Sequence, residues 1–428
     1  MSRAQTLPVA SLLVLLVGCF AAQPAHAQTY TVLYNFNGSG AGGYPTLTAI
    51  DAVGNLYGNT FQGGNMQSGC GNTGCGLVFK LTRRNSAWTE TVLYDFLGGD
   101  TDGRLPRFGP IFGRDGTLYG TTSEGGNRNC DEGCGIVYRL QPAATICRSI
   151  TCPWNETIVH SFTGGSDGAM PSSGVSFDAA GNLYGTTYAG GYLNGICGSF
   201  GCGVVYEFTP SNGSWTENVL YAFQGALDGF YPQFGVVMDS AGDLFGTSYS
   251  PQQGGGAGSV YELTPNGSGY TKSFYYIFPI DGSNGSGLGG VIIDSAGNLY
   301  GGTVYEGPQM GGTAYELSPG ANGATFTLIY ALSGTRTQTG VFAPLTMDAA
   351  GNLYGSTGTQ GRSGKGNVFK LTPSGGGSWA YTSLYDFHGT DDGGNPSGSL
   401  LLDAHGNIYG ACSTGGAEGY GTVFEITP

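Results

Sequence analysis

The chain has 428 residues, only 10% of them charged, and a formal net charge of −14. Its 15 Lys and Arg residues form no cluster, which argues against binding to nucleic acid or to an anionic membrane surface. Gly is abundant, with 82 residues, but the 27 Tyr and 22 Phe recur at fixed places. The composition therefore excludes a disordered chain and indicates a turn-rich β protein.

The chain begins with a predicted export signal over residues 1–27. Arg3 is its only formal charge, an apolar run covers 7–17, and 25–27 has the small-residue pattern of a cleavage site. The run is too short to span a membrane, and no later segment resembles a transmembrane helix. Cys19 ends a segment that resembles a bacterial lipobox. We expect an extracytoplasmic protein whose mature chain is residues 28–428 if it is released, or begins at a lipidated Cys19 if it is lipid-anchored.

One motif, Asp-Ala-Ala-Gly-Asn-Leu-Tyr-Gly in its clearest copy, recurs along the whole mature chain. The copies begin at Asp51, Gly113, Asp178, Asp239, Asp294, Asp348 and Asp403. They follow one another at steps of about 60 residues, and a fixed period of that length indicates a repeat architecture.

Within one repeat, residues 171–178 form a predicted short strand that ends at the Asp, and a tight turn follows. Residues 182–187 form the second strand and, after a Gly-rich loop, 203–209 form the third, with alternating apolar and polar residues. Residues 215–223 form the fourth. Four short antiparallel strands in each repeat are typical of a propeller blade.

The two ends of the mature chain predict how the blades close into a ring. Residues 30–36 match the fourth strand of the repeat, and 422–427 match the third. The last repeat therefore lacks a fourth strand that the N-terminus can supply, which leaves no unpaired sheet edge. We predict an all-β fold with seven blades of four antiparallel strands, one domain over 28–428, and a monomer.

Eight cysteines of the mature chain form four close pairs. These are Cys70/Cys75, Cys130/Cys134, Cys147/Cys152 and Cys197/Cys202. In an exported protein such pairs predict disulfides. A zinc site is the alternative, but the pairs lie in different repeats and are spaced more widely than in zinc knuckles. Cys412 has no partner and is expected to be a buried, inert thiol.

The repeat resembles a known family of tandem repeats. The pattern L-x-x-D-x-x-G-N-L-Y-G-T-T, then G-x-V-F-x-L-T, then L-Y-x-F-x-G-x-x-D-G-x-x-P is similar to the GloVer repeat of bacterial extracytoplasmic "choice-of-anchor" proteins, and more distantly to NHL and SMP-30 propellers. The resemblance covers nearly all of 28–428 and implies a propeller, without an activity to transfer. SMP-30-like enzymes hold a divalent metal with carboxylate and Asn ligands, and no matching set is assignable to these inner strands.

The candidate binding residues lie in two sets of loops that share one face of a propeller. The loops between strand four and the next strand one carry Asp102, Asp167, Asp228, Asp281 and Asp392, each followed by Gly. The loops between strands two and three carry Glu124, Glu306 and Glu418. The Asp residues suit calcium or a glycan, or else each caps its own turn. The Glu residues suit an acid or a base. Variable loops on a rigid scaffold are where binding usually resides.

Histidines give no catalytic pattern. His160, His388 and His405 belong to different elements of different repeats, so the sequence does not predict a shared metal site or triad.

We expect a non-enzymatic propeller that binds a glycan or a protein partner on this face, without a cofactor. The alternatives are an extracytoplasmic hydrolase, lactonase or lyase that uses the loop carboxylates, with or without calcium, and a purely structural envelope protein.

Overall fold

The computed structural model describes residues 28–66, 70–142, 154–171, 173–249, 257–267, 269–321, 323–335, 337 and 339–428. The predicted signal with Cys19 lies outside these residues, and so do Cys147 and Cys152, which the sequence predicts to form a disulfide. None of the helices in the described residues is long and apolar enough to cross a membrane.

Seven sheets of four antiparallel strands form the blades, which confirms the predicted seven-bladed propeller. The first strands are Gly43–Ile50, Ile111–Phe112, Ser176–Phe177, Val237–Met238, Ser286–Ile293, Thr346–Met347 and Gly394–Leu402. The second strands are Leu56–Gln62, Leu118–Thr122, Leu183–Thr187, Leu244–Ser248, Leu299–Tyr305, Leu353–Thr357 and Ile408–Thr414.

The outer half of each blade is formed by its third and fourth strands. The third strands are Leu77–Arg84, Ile136–Gln141, Val204–Ser211, Ser259–Pro265, Met310–Gly320, Asn367–Pro373 and Thr422–Thr427. The fourth strands are Ala87–Asp95, Asn155–Ser161, Ser214–Ala222, Tyr270–Ile277, Gly323–Ser333, Trp379–Asp386 and, for blade 7, Thr29–Asn35. A two-stranded pair, Gly103–Arg104 with Glu124–Gly125, joins two loops of blade 2.

The ring closes through blade 7, as the ends of the chain predict. Thr29–Asn35 pairs antiparallel with Thr422–Thr427, from Thr29 opposite Thr427 to Asn35 opposite Thr422. The N-terminal strand therefore completes the sheet that the last repeat begins, and this closure ties the two ends of the propeller together.

The Asp of the repeated motif holds the turn between strands one and two. In blade 3, Asp178 accepts hydrogen bonds from the backbone N–H groups of Ala180 and Asn182, each at 2.8 Å, and from the Asn182 side chain at 2.8 Å. Tyr184 donates to its second oxygen at 3.3 Å. The motif repeats because each blade uses this turn, so it marks the scaffold.

Seven apolar clusters fill the spaces between neighbouring blades, one cluster to each seam. Inside a blade, an aromatic ring of the third strand lies across the motif Gly of the second. In blade 3, Gly185 pairs with Tyr206, and a Cβ at Gly185 would lie 2.3 Å from the Tyr206 hydroxyl oxygen. The same contact recurs in all seven blades, with Tyr in four and Phe in three. This close packing explains why the position is Gly throughout.

Replacing this Gly tests the packing. We expect Gly185→Ala to lower the free energy of unfolding by about 1–3 kcal/mol, because the added methyl group overpacks against a fully buried ring. Thermal denaturation would show a melting temperature lower by several degrees. Gly40→Ala is the control, since a Cβ at Gly40 meets nothing within 4 Å. Equal melting temperatures for the two variants would contradict the packing argument.

Candidate functional site

The predicted loop-face Asp residues are held by their own loops. Asp102 accepts from the backbone N–H of Leu97 at 2.7 Å and from the Tyr94 hydroxyl at 3.1 Å. Asp228 accepts from the backbone N–H of Gln224 at 2.8 Å and from the Tyr221 hydroxyl at 2.6 Å.

The other three Asp residues also contact nearby groups. Asp167 accepts from the N–H of Thr163 at 2.8 Å, and Asp392 from that of His388 at 2.8 Å. Asp281 accepts from the N–H of Ser283 at 2.9 Å. All five are therefore engaged in turns, and their role in ligand binding stays a prediction.

The three predicted loop Glu residues lie in blades 2, 5 and 7. Glu124 forms an ion pair with Arg104 at 2.8 Å. Glu306 has a positive φ of 61° and is half-buried, and Glu418 is exposed. An acid or base role for these residues also stays a prediction.

Three of the predicted disulfides are formed, and they lie against the loops that lead to the next blade. They are Cys70–Cys75, Cys130–Cys134 and Cys197–Cys202. A Cβ on Gly98, the second residue after the blade 1 ring Phe96, would lie 3.0 Å from the Cys70 sulfur. Cys412 is a buried free thiol. The disulfides therefore brace the loop face in the first three blades.

The fourth predicted disulfide, between Cys147 and Cys152, differs from these three because the structure does not confirm it. Cys152 and its predicted partner Cys147 both lie between residues 143 and 153, outside the part of the chain that the structure describes. The pairing of Cys147 with Cys152 therefore stays a prediction.

A backbone hydrogen bond joins each of the three formed disulfides to the following blade. The N–H groups of Leu105, Met170 and Tyr231 each donate at 2.8 Å to the carbonyl of the second cysteine in the preceding blade: Cys75, Cys134 and Cys202. Tyr44, Gly287 and Asn395 donate in the same way at their seams.

The residues that donate this bond have an unusual backbone conformation. Tyr44, Leu105, Met170, Tyr231 and Asn395 have φ between 50° and 56°, and each precedes a proline. This conformation is uncommon for residues other than Gly, so the surrounding structure must hold it.

The prolines pack against a Gly of the preceding blade. A Cβ on Gly203 would lie 2.8 Å from Pro232 Cδ and 2.3 Å from the Thr187 carbonyl oxygen. Each seam thus fixes the start of the next first strand, and with it the residues that enter the central channel.

A cavity of about 700 Å³ lies where all seven blades meet, and we call it the central funnel. Its lining comes from the starts of first strands and the ends of second strands, so it lies at the loop-face end of the channel. The aromatic residues of the lining are Tyr44, Phe61, Phe108, Tyr188, Phe234, Tyr305 and Phe342. The polar ones include Thr46, Ser123, Gln233, Thr339, Ser356, Asn395, Ser397 and Ser413. Among the residues that the structure describes, Arg107 is the only charged side chain of the lining.

The aromatic rings form a floor and a rim. Phe234 is buried and packs edge-on against Phe108 and Phe342, with ring centroids 5.8 and 4.9 Å apart. Tyr44 and Tyr305 are about 40% exposed and Phe342 is 50% exposed. The funnel therefore presents apolar ring surface to solvent above a packed aromatic base, which is unusual for side chains of this size unless they bind something.

A second cavity of about 240 Å³ adjoins the funnel and extends it over blades 4 and 5. The cavities share Gln233, whose side chain donates to the Tyr249 hydroxyl at 3.2 Å. Next to it, the rings of Tyr188 and Tyr231 stack with centroids 4.5 Å apart, and Phe200 lies at the edge of both. We call Tyr188, Phe200, Tyr231 and Tyr249 the aromatic track.

None of the eight predicted loop-face carboxylates is among the described residues that line the funnel. Several residues that do line it occupy the one or two positions after the loop-face proline, such as Thr46, Arg107, Gln233 and Ser397. Sequence reasoning missed them because it followed the repeated Asp-Gly. The signal was their variation at a place where the flanking Gly and Pro repeat.

The outer ends of the seams carry a second group of ionisable residues. At each seam, an aromatic or His side chain on the fourth strand of one blade lies next to a side chain on the fourth strand of the following blade. The pairs are Tyr34/Glu90, Tyr94/Glu156, His160/Glu217, Tyr221/Lys272, Tyr276/Phe326, Tyr330/Tyr381 and Tyr385/Tyr30.

The third of these seams also contains Asp167. His160 Nε2 lies 3.2 Å from Asp167 Oδ2 and 3.6 Å from Glu217 Oε2. One ligand atom of each residue lies within 4.8 Å of the others. The sequence did not predict that His160 and Glu217 meet, because the contact crosses a seam. At the first two seams, Tyr34 and Tyr94 occupy the position that His160 occupies at the third. The His160, Asp167 and Glu217 group is therefore a variant of a contact that other seams also make.

Burial changes the ionisation of the seam Glu residues. It raises the pKa of Glu90 to about 8, although Tyr34 donates to Glu90 at 2.9 Å and lowers it. Burial also raises the pKa values of Glu156 and Glu217 to about 7. Between pH 4.5 and about 7, these three Glu side chains are therefore protonated in the folded protein but ionised in the unfolded chain, whose Glu residues have an ordinary pKa of 4.5.

These shifts predict how stability depends on pH. Since the folded pKa values exceed the unfolded ones, the stabilisation is full below about pH 4.5 and is lost as pH rises through 7 to 8. We expect the free energy of unfolding to fall between about pH 5 and about pH 9. Glu90→Gln should make that fall shallower by up to about 4 kcal/mol, since about three pH units lie between pH 5 and the Glu90 pKa of about 8, and each contributes about 1.4 kcal/mol.

Thermal melting across this pH range is the measurement. Glu418→Gln, at an exposed Glu, is the control and should keep the wild-type profile. If the melting temperature of Glu90→Gln depended on pH as that of the wild type does, the assignment of the pH dependence to Glu90 would be refuted.

Comparisons with known proteins agree with this fold. A family model described as the Gloeobacter/Verrucomicrobia repeat matches residues 18–191, 66–287, 131–343 and 252–428, which confirms the predicted resemblance. No curated protein sequence matches the chain.

Solved structures resemble the chain in fold. One is an ulvan lyase of a polysaccharide lyase family bound to -[GlcA(1-4)Rha3S]-, with a TM-score of 0.53, 11% identity, and coverage of 93% of this chain and 95% of that one. Another is PorZ, a bacterial surface component of the type-IX secretion system of Porphyromonas gingivalis. Its TM-score is 0.50 at 15% identity, with coverage of 92% of this chain and 48% of PorZ. At these identities the likeness concerns the fold alone.

Proposed function

We propose that this chain, which belongs to the Gloeobacter/Verrucomicrobia repeat family, is an exported propeller that binds a glycan in the central funnel. The observation that carries the proposal is the set of exposed aromatic rings at the mouth of one concave cavity, interleaved with hydroxyl and amide groups. The proposal concerns binding without catalysis.

The chemistry of the lining suits a sugar. The negative face of an aromatic ring attracts the slightly positive C–H groups on the apolar face of a pyranose. Hydroxyl and amide groups such as those of Ser123, Gln233 and Asn395 can donate to and accept from sugar hydroxyls. The volume, about 700 Å³, falls within the range of about 300–1,000 Å³ typical of ligand pockets.

The rigidity of the seams also supports binding. Tyr44, Met170 and Asn395 line the funnel from positions whose backbone a seam hydrogen bond fixes. Side chains that are ordered before the ligand arrives lose less entropy on binding. The aromatic track beside the funnel would let a longer glycan extend over blades 3 and 4.

The enzymatic alternative is a hydrolase, lactonase or lyase that uses the loop-face carboxylates. It would need an acid or base within hydrogen-bond reach of the bound glycan, about 3 Å. Asp102, Asp228 and Asp392 are each bonded to a turn and a Tyr, and they lie outside the lining described above. Incubating the bound glycan with the protein and measuring new reducing or unsaturated ends would reveal catalysis if it occurs.

Export is the second part of the proposal. The three disulfides of the described residues suit an oxidising compartment. Mass spectrometry of the mature N-terminus would separate a protein that begins at Gln28 from one that begins at a lipidated Cys19. A mature protein that retains residues 1–27 would contradict export by this signal.

The rim of the funnel gives the direct test of glycan binding. A glycan array with the wild-type protein, in calcium and in a chelator, would identify the glycan and show whether calcium contributes. We expect the Tyr305→Ala/Phe342→Ala variant to bind that glycan at least tenfold more weakly, a loss of about 1.4 kcal/mol. The cause is the loss of two exposed rings from the rim.

Ile280→Ala serves as the control, because Ile280 is an exposed apolar residue in a loop of the same face but outside the lining. Affinities are measured by isothermal titration calorimetry on variants whose melting temperatures equal that of the wild type. Equal affinity of the rim variant and the wild type would exclude the funnel as the binding site. Binding of a protein in place of any glycan would also overturn the proposal.

A further inference from the structure

We infer that the glycan in the central funnel is anionic, and that Arg107 binds its carboxylate or sulfate group. The inference rests on the proposed function and adds the class of sugar that the funnel selects. The binding site is the wall of the funnel where blades 1 and 2 meet.

The fold fixes the backbone from which Arg107 extends. The N–H of Leu105, two residues earlier, donates to the Cys75 carbonyl at 2.8 Å, and Pro106 packs against Gly76 of blade 1. Phe108, the next residue, packs against Phe234 in the floor. Arg107 therefore stands between two anchored neighbours, at the start of the first strand of blade 2.

The guanidinium group is held over an aromatic ring. Arg107 Cζ lies 5.1 Å from the centroid of the Phe61 ring, which belongs to blade 1 and also lines the funnel. A cation over a ring face is attracted by the negative charge of that face. This contact orients the guanidinium plane and leaves its N–H groups free for a ligand.

Arg107 has no acidic partner among the described residues, unlike three other arginines of the loop face that the structure describes. Arg104 pairs with Glu124 at 2.8 Å, Arg128 with Asp100, and Arg362 with Asp386 at 3.8 Å. Over the described ranges, the Arg107 side chain makes no salt bridge and no hydrogen bond. In a chain with 29 acidic and 15 basic residues, an exposed cation that faces a cavity without a carboxylate is positioned for an anion from outside.

The chemistry of the guanidinium group defines the ligand. Its planar fork donates two parallel hydrogen bonds to the oxygens of a carboxylate or a sulfate. A protein of net charge −14 repels a polyanion at long range, so affinity must come from this local contact together with the rings. We therefore expect recognition of a single acidic sugar, with a salt dependence close to that of one ion pair.

Calorimetry with three oligosaccharide classes tests the inference. The probes are oligogalacturonate for the carboxylate, a carrageenan oligosaccharide for the sulfate ester, and a xylo-oligosaccharide as the neutral sugar. We expect the wild type to bind at least one acidic probe at least tenfold more tightly than the neutral one. The tighter of the two acidic probes identifies the source of the anion.

The variants separate the role of Arg107 from that of the rings. Arg107→Gln should weaken binding of the acidic probe at least tenfold and leave the neutral probe unchanged, and Arg107→Lys should keep part of the affinity. Arg114→Gln is the matched control, since Arg114 is exposed in the strand-one turn on the opposite face. Circular dichroism and melting would confirm that each variant is folded.

Two results would overturn the inference while leaving glycan binding intact. One is an Arg107→Gln variant that binds the acidic probe like the wild type. The other is a wild type that binds the neutral probe as tightly as both acidic ones. Failure of the proposed function looks different, because then the Tyr305→Ala/Phe342→Ala variant would bind every probe as the wild type does.

Discussion

The funnel depends on one backbone hydrogen bond, which runs from the residue before the loop-face proline to a carbonyl of the preceding blade. It is present at five of the seven seams in the described residues, for example from Leu105 to Cys75 and from Tyr231 to Cys202. At a sixth seam Gly287, which Leu288 follows, donates the equivalent bond to Ala257. The bond before the proline holds five residues other than Gly at positive φ, and the proline that follows allows little freedom. Each blade thereby fixes the backbone position of the funnel residues of the next blade. In blades 1 to 3, the cysteine whose carbonyl accepts the bond is also held by a disulfide.

The same seams divide the molecule into a structural rim and a centre that holds the proposed binding site. At the outer ends, contacts change around the ring from Tyr or His with Glu, through Tyr221 with Lys272, to stacked aromatic pairs such as Tyr330 and Tyr381. These groups are half-buried and face neighbouring blades, so they tune stability and its pH dependence. At the inner ends, the side chains after the proline face an open cavity. Sequence variation at the rim therefore has consequences for folding, and variation at the centre changes the lining of the proposed binding site.

Much of the fold was predictable from the sequence because the same pattern of strands and turns occurs in seven copies. The turn Asp, the Gly of the second strand and the apolar alternation are local signals, and the matching ends of the chain predicted closure through Thr29–Asn35. The site was harder to predict. Phe108, Phe234 and Phe342 meet only because seven blades close into a ring, so their contact is a property of the closed ring rather than of any one repeat. The acidic loop residues drew attention by repetition, yet the structure places them in turns of shared geometry, whereas the residues that line the funnel occupy positions that differ from blade to blade.

Hydrogen–deuterium exchange on the mature protein, with and without its bound glycan, tests the central claim most directly. If the funnel is the binding site, peptides that contain residues 104–108, 231–234, 339–343 and 395–398 will gain protection together, because they line one cavity or its extension. The strand-one turns on the opposite face, such as 113–117, will keep their free-state exchange. Protection confined to the Asp-Gly loops, at 99–103 and 226–229 for example, with no change in the funnel peptides, would contradict the account.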